Sequence, residues 1–163
     1  MEDLKKIYFM SNKNFWKCLL LREHEYYVYQ FVKKLRKEES SQNRFVKYYY
    51  RRKKNKLGRK LGFTIPAGVF GEGLHIWHYG NIVVNGSAKV GNNCVLHGDS
   101  CIGNNGKTLK APNIGNNVDI GVGAKIIGDI TIADDIIIGA GAVVTRSFRE
   151  PGITIAGIPA QKI

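Results

Sequence analysis

The side chains here best suited to proton transfer, nucleophilic attack or metal binding are four histidines, at 24, 75, 78 and 97, and three cysteines, at 18, 94 and 101. An imidazole changes charge near neutral pH, so a histidine set beside a hydroxyl can take its proton. His75 and His78 stand three apart in GLHIWHYGNIVVN, and the Tyr79 and Gly80 that follow predict a bend turning the His78 ring to the surface. His75 reads as a structural or substrate-edge residue, and His24, in a segment with helical spacing, as a surface or packing residue. Cys94, His97 and Cys101 have the residue types of a zinc site, but strand alternation turns Cys94 inward and Cys101 outward, so no metal is expected. GNNGKT at 103 to 108 imitates a phosphate loop, yet Cys101 stands where its first glycine should be. There is no GxSxG elbow and no CxxC pair, so neither a covalent acyl-enzyme nor a disulfide framework is predicted.

The elements that must position these residues fall into two compositional regimes. In a chain of 163 residues, 18 of the 25 Lys+Arg and 6 of the 13 Asp+Glu precede residue 63, whereas 17 of the 19 glycines follow residue 62. A basic, aromatic-rich helical segment over 1–62 is therefore expected, followed by a neutral, glycine-rich domain over 63–163. Apolar residues Phe15, Leu19, Tyr26, Tyr29 and Val32 predict one amphipathic helix from Lys13 to Glu39. A second, basic helix is predicted over Gln42 to Lys60, with Gly58 and Gly62 as stop signals. The run Arg51 to Lys60 is expected to face an anionic partner, a membrane surface or polysaccharide-assembly machinery. No base-reading motif accompanies the charge, so nucleic acid is not the expected partner. No apolar run approaches the roughly 20 residues of a membrane span and the start MEDLKKIYF lacks a signal-like core, which predicts a cytoplasmic protein, with the inner membrane face as a second expected address.

A period of six organises the second regime. Counting in sixes from Val84 gives Val90, Leu96, Ile102, Thr108, Ile114, Ile120, Ile126, Ile132, Ile138 and Val144, of which Thr108 alone is not aliphatic. One inward aliphatic side chain per short strand, with glycine or asparagine at each corner, builds a three-sided coil of 18 residues per turn. Uniform stacking of n over n+18 predicts the column His78, Leu96, Ile114, Ile132 and sets His97 above Tyr79, in reach of the same cleft. The interval from Ile102 to Ile114, with Thr108 at a core phase, predicts a loop leaving the coil. The pairs Asn92/Asn93, Asn104/Asn105 and Asn116/Asn117 are expected at corners.

The hexads, GLHIWHYGNIVVN at 73 to 85, GVGAKIIGD at 121 to 129, IGAGAVVT at 138 to 145 and the closing AGIPAQKI resemble the hexapeptide-repeat acyltransferases, most closely their serine acetyltransferase-like branch. LGFTIPAGVFGEGLHI looks like polysaccharide-associated members of that branch. The resemblance implies a mainly β fold, a left-handed parallel β-helix of hexapeptide repeats after a short α-helical N-terminal segment, assembled as a homotrimer. It implies acetyl-CoA as cosubstrate and transfer of acetyl to a hydroxyl, with His78 as general base. His97, Tyr79 and His75 would then line the acceptor side, and Gly123, Ala124, Lys125, Gly141, Ala142 and Lys162 the acetyl-CoA side. Two departures bear on the acceptor. Phe63 stands where true serine acetyltransferases carry an aspartate, and Ala111 where they carry a second histidine, so serine and a sugar hydroxyl both remain open. A catalytically idle scaffold whose basic arm binds a membrane or a partner is the alternative.

Overall fold

A computed structural model describes residues 2–163. Four helices come first: α1 (Glu2–Phe9), α2 (Asn12–Leu20), α3 (His24–Ser40) and α4 (Arg44–Leu61). Ser11 caps α2 by accepting from the Asn14 amide, and Asn43 caps α4 by accepting from Phe45 and Val46, as short polar side chains do at helix starts. The single helix predicted from Lys13 to Glu39 is broken at Leu21 to Glu23, where Arg22 takes a left-handed φ of 54°. Gly62 ends α4 with φ 78°. Gly58 is no stop signal but lies inside α4, where a Cβ would meet the Phe63 carbonyl at 2.7 Å and Phe31 at 3.2 Å. It is glycine because two elements touch there.

From Phe63 onward the chain winds through three parallel sheets in rotation. A first strand, β1 (Phe63–Thr64), leads into a coil of β2 (His75–Ile76), β3 (Ile82–Val84) and β4 (Lys89–Val90). The next coil holds β5 (Val95–Leu96), β6 (Cys101–Gly103) and β7 (Asn113–Ile114), and the next β8 (Asp119–Ile120), β9 (Lys125–Ile127) and β10 (Thr131–Ile132). The last holds β11 (Ile137–Ile138), β12 (Val143–Val144) and a bridge at Phe148, before β13 (Thr154–Gly157) and an antiparallel β14 (Ala160–Lys162) close the stack.

Every aliphatic member of the hexad series is buried, and each stacks on the equivalent side chain of the next coil. Ile76, Leu96, Ile120, Ile138 and Ile155 form one such column, each 1% exposed or less. The spacing between coils, however, is not uniform. Ile114 pairs with Ile132 in steps of 18, but Leu96 pairs with Ile120 across 24, because residues 104–110 leave the coil as a loop. Ile76 pairs with Leu96 across 20. The predicted column headed by His78 is therefore wrong. Ile76 holds the inward slot, and two extra residues push His78 and Tyr79 outward.

One corner is held by side-chain ladders. Asn92, Asn116 and Asp134 each accept from the backbone of the coil below, and Asn93, Asn117 and Asp135 adopt left-handed φ of 55° to 61°. Asn104 and Asn105 lie instead in the loop, where Asn105 accepts from Lys107 and Thr108. The helices share the coil's core through Val28, Phe31, Val32, Leu35 and Leu61.

Candidate active site

His78 sits on the corner between the strands β2 and β3, exposed as the bend at Tyr79 and Gly80 demands. Gly98 occupies the same corner one coil further, and a Cβ there would lie 3.5 Å from the Cβ of His78. The next two coils put Gly123 and Gly141 on this edge, with φ 76° and 67°. At about 4.8 Å per coil, they lie roughly 10 and 14 Å along the edge from His78. Ala124 and Ala142 are fully buried with their methyls in the core, so only their backbone is available outside. Lys125 donates to the Asp99 carbonyl and pairs with its carboxylate at 3.7 Å. Lys162 lies at the far end, paired with Glu150 at 2.7 Å.

The helical segment contributes to this corner a residue whose sequence context predicts only a surface or packing role. His24, first residue of α3, brings its ring to 5.6 Å from His78 and 5.8 Å from Tyr79, with its Nδ1 3.5 Å from Glu25. Only the docking of α3 on the coil creates this pair, so no local motif announces it.

His97 does not stack on Tyr79. Because the coil below is two residues longer, His97 lies over Trp77, ring centroids 6.1 Å apart and nearly parallel. Its Nε2 meets Asp119 at 2.8 Å, an imidazole and carboxylate pair on the outer face of that sheet. His75 completes the cluster, 4.6 Å from Trp77 and edge-on to Tyr8 at 4.9 Å. Burial, with His97 adding to it, holds the His75 imidazole below its ordinary range. The Tyr8 hydroxyl accepts from the Ile76 amide at 3.0 Å, sealing the open edge of β2 against α1, and its burial pushes its pKa up.

Among the cysteines, Cys94 points into the core and its burial raises its pKa, while Cys101 is half-buried. Cys18, Glu23 and Glu25 bring donor atoms within 4.8 Å of one another at the α2–α3 turn. There the Cys18 thiol donates to Glu23 at 3.0 Å, and burial with these carboxylates pushes it up to about 11, so the thiol keeps its proton. Among the described residues no helix is long and apolar enough to cross a membrane.

No family model matches the chain. It is 32% identical over 157 residues to a serine acetyltransferase of Helicobacter pylori strain J99, covering 93% of this chain and 87% of that protein. To the serine acetyltransferase of Synechococcus elongatus it is 36% identical over 100 residues, covering 60% of this chain and 41% of that protein. Among solved structures, soybean serine acetyltransferase superposes with a TM-score of 0.73 at 26% identity, over 85% of this chain and 58% of the other. A Brucella abortus serine acetyltransferase in complex with coenzyme A gives 0.74 at 27%, over 84% and 56%. The chain thus spans less than two thirds of the Synechococcus, soybean and Brucella proteins and most of the Helicobacter one. The length and level of the Helicobacter match place the chain in the serine acetyltransferase family of hexapeptide-repeat acyltransferases.

Proposed function

We propose that this chain, as a homotrimer of left-handed coils, transfers acetyl from acetyl-CoA to the hydroxyl of a small acceptor. The observation that carries this is the shared corner, where an exposed imidazole, His78, stands at one end of an edge lined by Gly98, Gly123 and Gly141. His78 takes the hydroxyl proton as the oxygen attacks the thioester carbonyl. Backbone N–H groups stabilise the tetrahedral oxyanion. When the intermediate collapses the C–S bond breaks, the proton on His78 passes to the departing thiolate, and an acetyl ester and free CoA remain. The edge gives the pantetheine arm a groove without side chains, in which backbone amides and carbonyls of Gly123, Ala124, Gly141 and Ala142 reach the ligand. Lys125 and Lys162 are the cations that could exchange an internal carboxylate for a CoA phosphate.

The acceptor is a sugar hydroxyl or serine. Phe63, 6% exposed and packed on Phe31, cannot orient a base or bind an ammonium group, whereas Trp77 and Tyr79 beside His78 offer exposed flat rings of the kind that pack on sugars. The relatives are named for serine. Thiol release from acetyl-CoA, followed with serine and with a panel of sugars, tests both, and His78→Ala should lower turnover by roughly 10² to 10⁴ while CoA still binds. Loss of turnover in His97→Ala but not in His78→Ala would move the base to the pair His97 and Asp119. No thiol release with any acceptor would leave the idle-scaffold reading.

A further inference from the structure

The helix α4 carries nine Lys or Arg and no acidic residue in its 18 positions, and its first turns stand clear of the body, residues 42–49 all being exposed. The predicted outward run from Arg51 to Lys60 needs correction. Lys54 is 3% exposed and pairs with the buried Glu38, and the exposed Arg51 pairs with the same carboxylate, so these two cations are already engaged within the chain. Arg44, Lys47, Arg52, Lys53, Lys56 and Lys60 are exposed and have no ion pair among the described residues. Apolar side chains are exposed at the free end of the same helix. Phe45 is 87% exposed, Tyr48 64%, Tyr49 53% and Val46 42%. Helical spacing puts Phe45, Tyr48, Tyr49, Arg52 and Lys56 on one face, opposite the buried Lys54, Gly58 and Leu61.

We propose that this face seats the protein on a membrane surface bearing anionic lipids, independently of the chemistry at His78. Aromatic and apolar knobs at one end of a basic amphipathic helix match the interfacial layer of a bilayer, where rings lie at headgroup depth and each cation meets negative surface potential. The coil of a second copy offers this face a poor complement. Of the seven acids in residues 63–163, Asp99, Asp119, Asp129 and Glu150 are already paired with Lys125, His97, Lys110 and Lys162. Asp134 and Asp135 serve the corner ladder, which leaves Glu72. An acidic glycan would match the cations, but Phe45 and Val46 have nothing polar to give it.

Flotation of the full chain with vesicles of phosphatidylcholine, alone or mixed with phosphatidylglycerol, at low and high salt, tests the proposal. Binding to the mixed vesicles at low salt should exceed that to the neutral ones by about tenfold or more, and should weaken with salt. Arg52→Gln/Lys56→Gln/Lys60→Gln should lose roughly a hundredfold and Phe45→Ser/Tyr48→Ser/Tyr49→Ser about tenfold or more, each while keeping the wild-type melting temperature and sedimentation coefficient. Four results would overturn it. They are no vesicle binding at low salt, equal binding to both vesicle types, retention on an acidic polysaccharide instead of vesicles, and dissociation of the assembly in the serine variant, which would make the face a contact between copies.

Discussion

Glu38 on α3 is 1% exposed and Lys54 on α4 is 3% exposed, so their ion pair is taken out of water almost completely. The two charges stand 3.0 Å apart, Arg51 holds the other carboxylate oxygen at 2.8 Å, and the Lys54 ammonium also donates to the Ile65 carbonyl at 3.1 Å. This triad therefore ties both long helices to the start of the coil. Glu38→Ala would leave the ammonium buried with one carbonyl for company. Uncompensated buried charge of this kind costs about 3 to 5 kcal/mol, a fall in melting temperature of roughly 6 to 20 °C for a domain of this size. Glu38→Met/Lys54→Met removes both charges and should recover most of the loss, since apolar replacement of a buried pair is often near neutral. Burial raises the Glu38 pKa, but Arg51 and Lys54 outweigh it and hold the carboxyl below its ordinary range. The native state thus binds fewer protons there than the unfolded chain. The contribution is complete above the ordinary carboxylate range and is lost as pH falls through the lowered value. Urea unfolding of wild type, single and double variants at neutral and acid pH reads all of this. A Glu38→Ala loss under about 1 kcal/mol, or a double variant no better than the single, would refute the account of a dry ion pair.

Three further outcomes are expected. His24→Ala should lower turnover about tenfold, near 1.4 kcal/mol of barrier, without changing the KM for acetyl-CoA, and His24→Phe should restore activity only if the ring serves His78 by packing. Sedimentation should find three chains per particle, because Val83, Val122 and Ile137 leave apolar patches on the coil's outer faces; a monomer at micromolar protein would refute the homotrimer. Thermal stability should decline as pH falls below about 6.5, since the native state keeps His75 neutral where the unfolded chain protonates it. In His75→Phe that decline should be smaller, and an unchanged slope would exclude His75 as its source.

The repeat was legible because its signal is one aliphatic residue in six, all of them buried except in the loop around Thr108. The bend at His78 was legible as a polar residue at an aliphatic phase, but its size was not. Two added residues set the pairs that straddle the bend 20 apart, while Val84 meets Ile102 across 18 again, and that is why His97 lies on Trp77 rather than on Tyr79. The break between α2 and α3 carries no glycine or proline, only an arginine in the left-handed conformation that ends α2 while the Glu23 amide donates to the Cys18 carbonyl, so periodicity ran straight through it. The likeness of Asp134 and Asp135 to the asparagine ladder was hidden by residue type, although aspartate serves the same corner chemistry.

A regular coil buries every sixth side chain, so it offers no reactive group at an edge. Chemistry must enter where the period breaks. Between the end coils, where the steps also differ from 18, it breaks twice, at the 20-residue step past His78 and at the 24-residue step past Ile102. These breaks lie on different corners, the first between β2 and β3, the second between β6 and β7. Within one chain, then, the loop at residues 104–110 leaves the prism along another edge than the one that carries His78 and the glycines. If that loop borders an acceptor site, it does so for the His78 of a neighbouring copy. Deleting the loop should therefore spare folding and CoA binding but raise the KM for the acceptor. Mixing loop-deleted chains with His78→Ala chains should restore activity at those interfaces that bring an intact loop to an intact His78. Strictly additive activity in the mixed trimers would mean that each chain completes its own site.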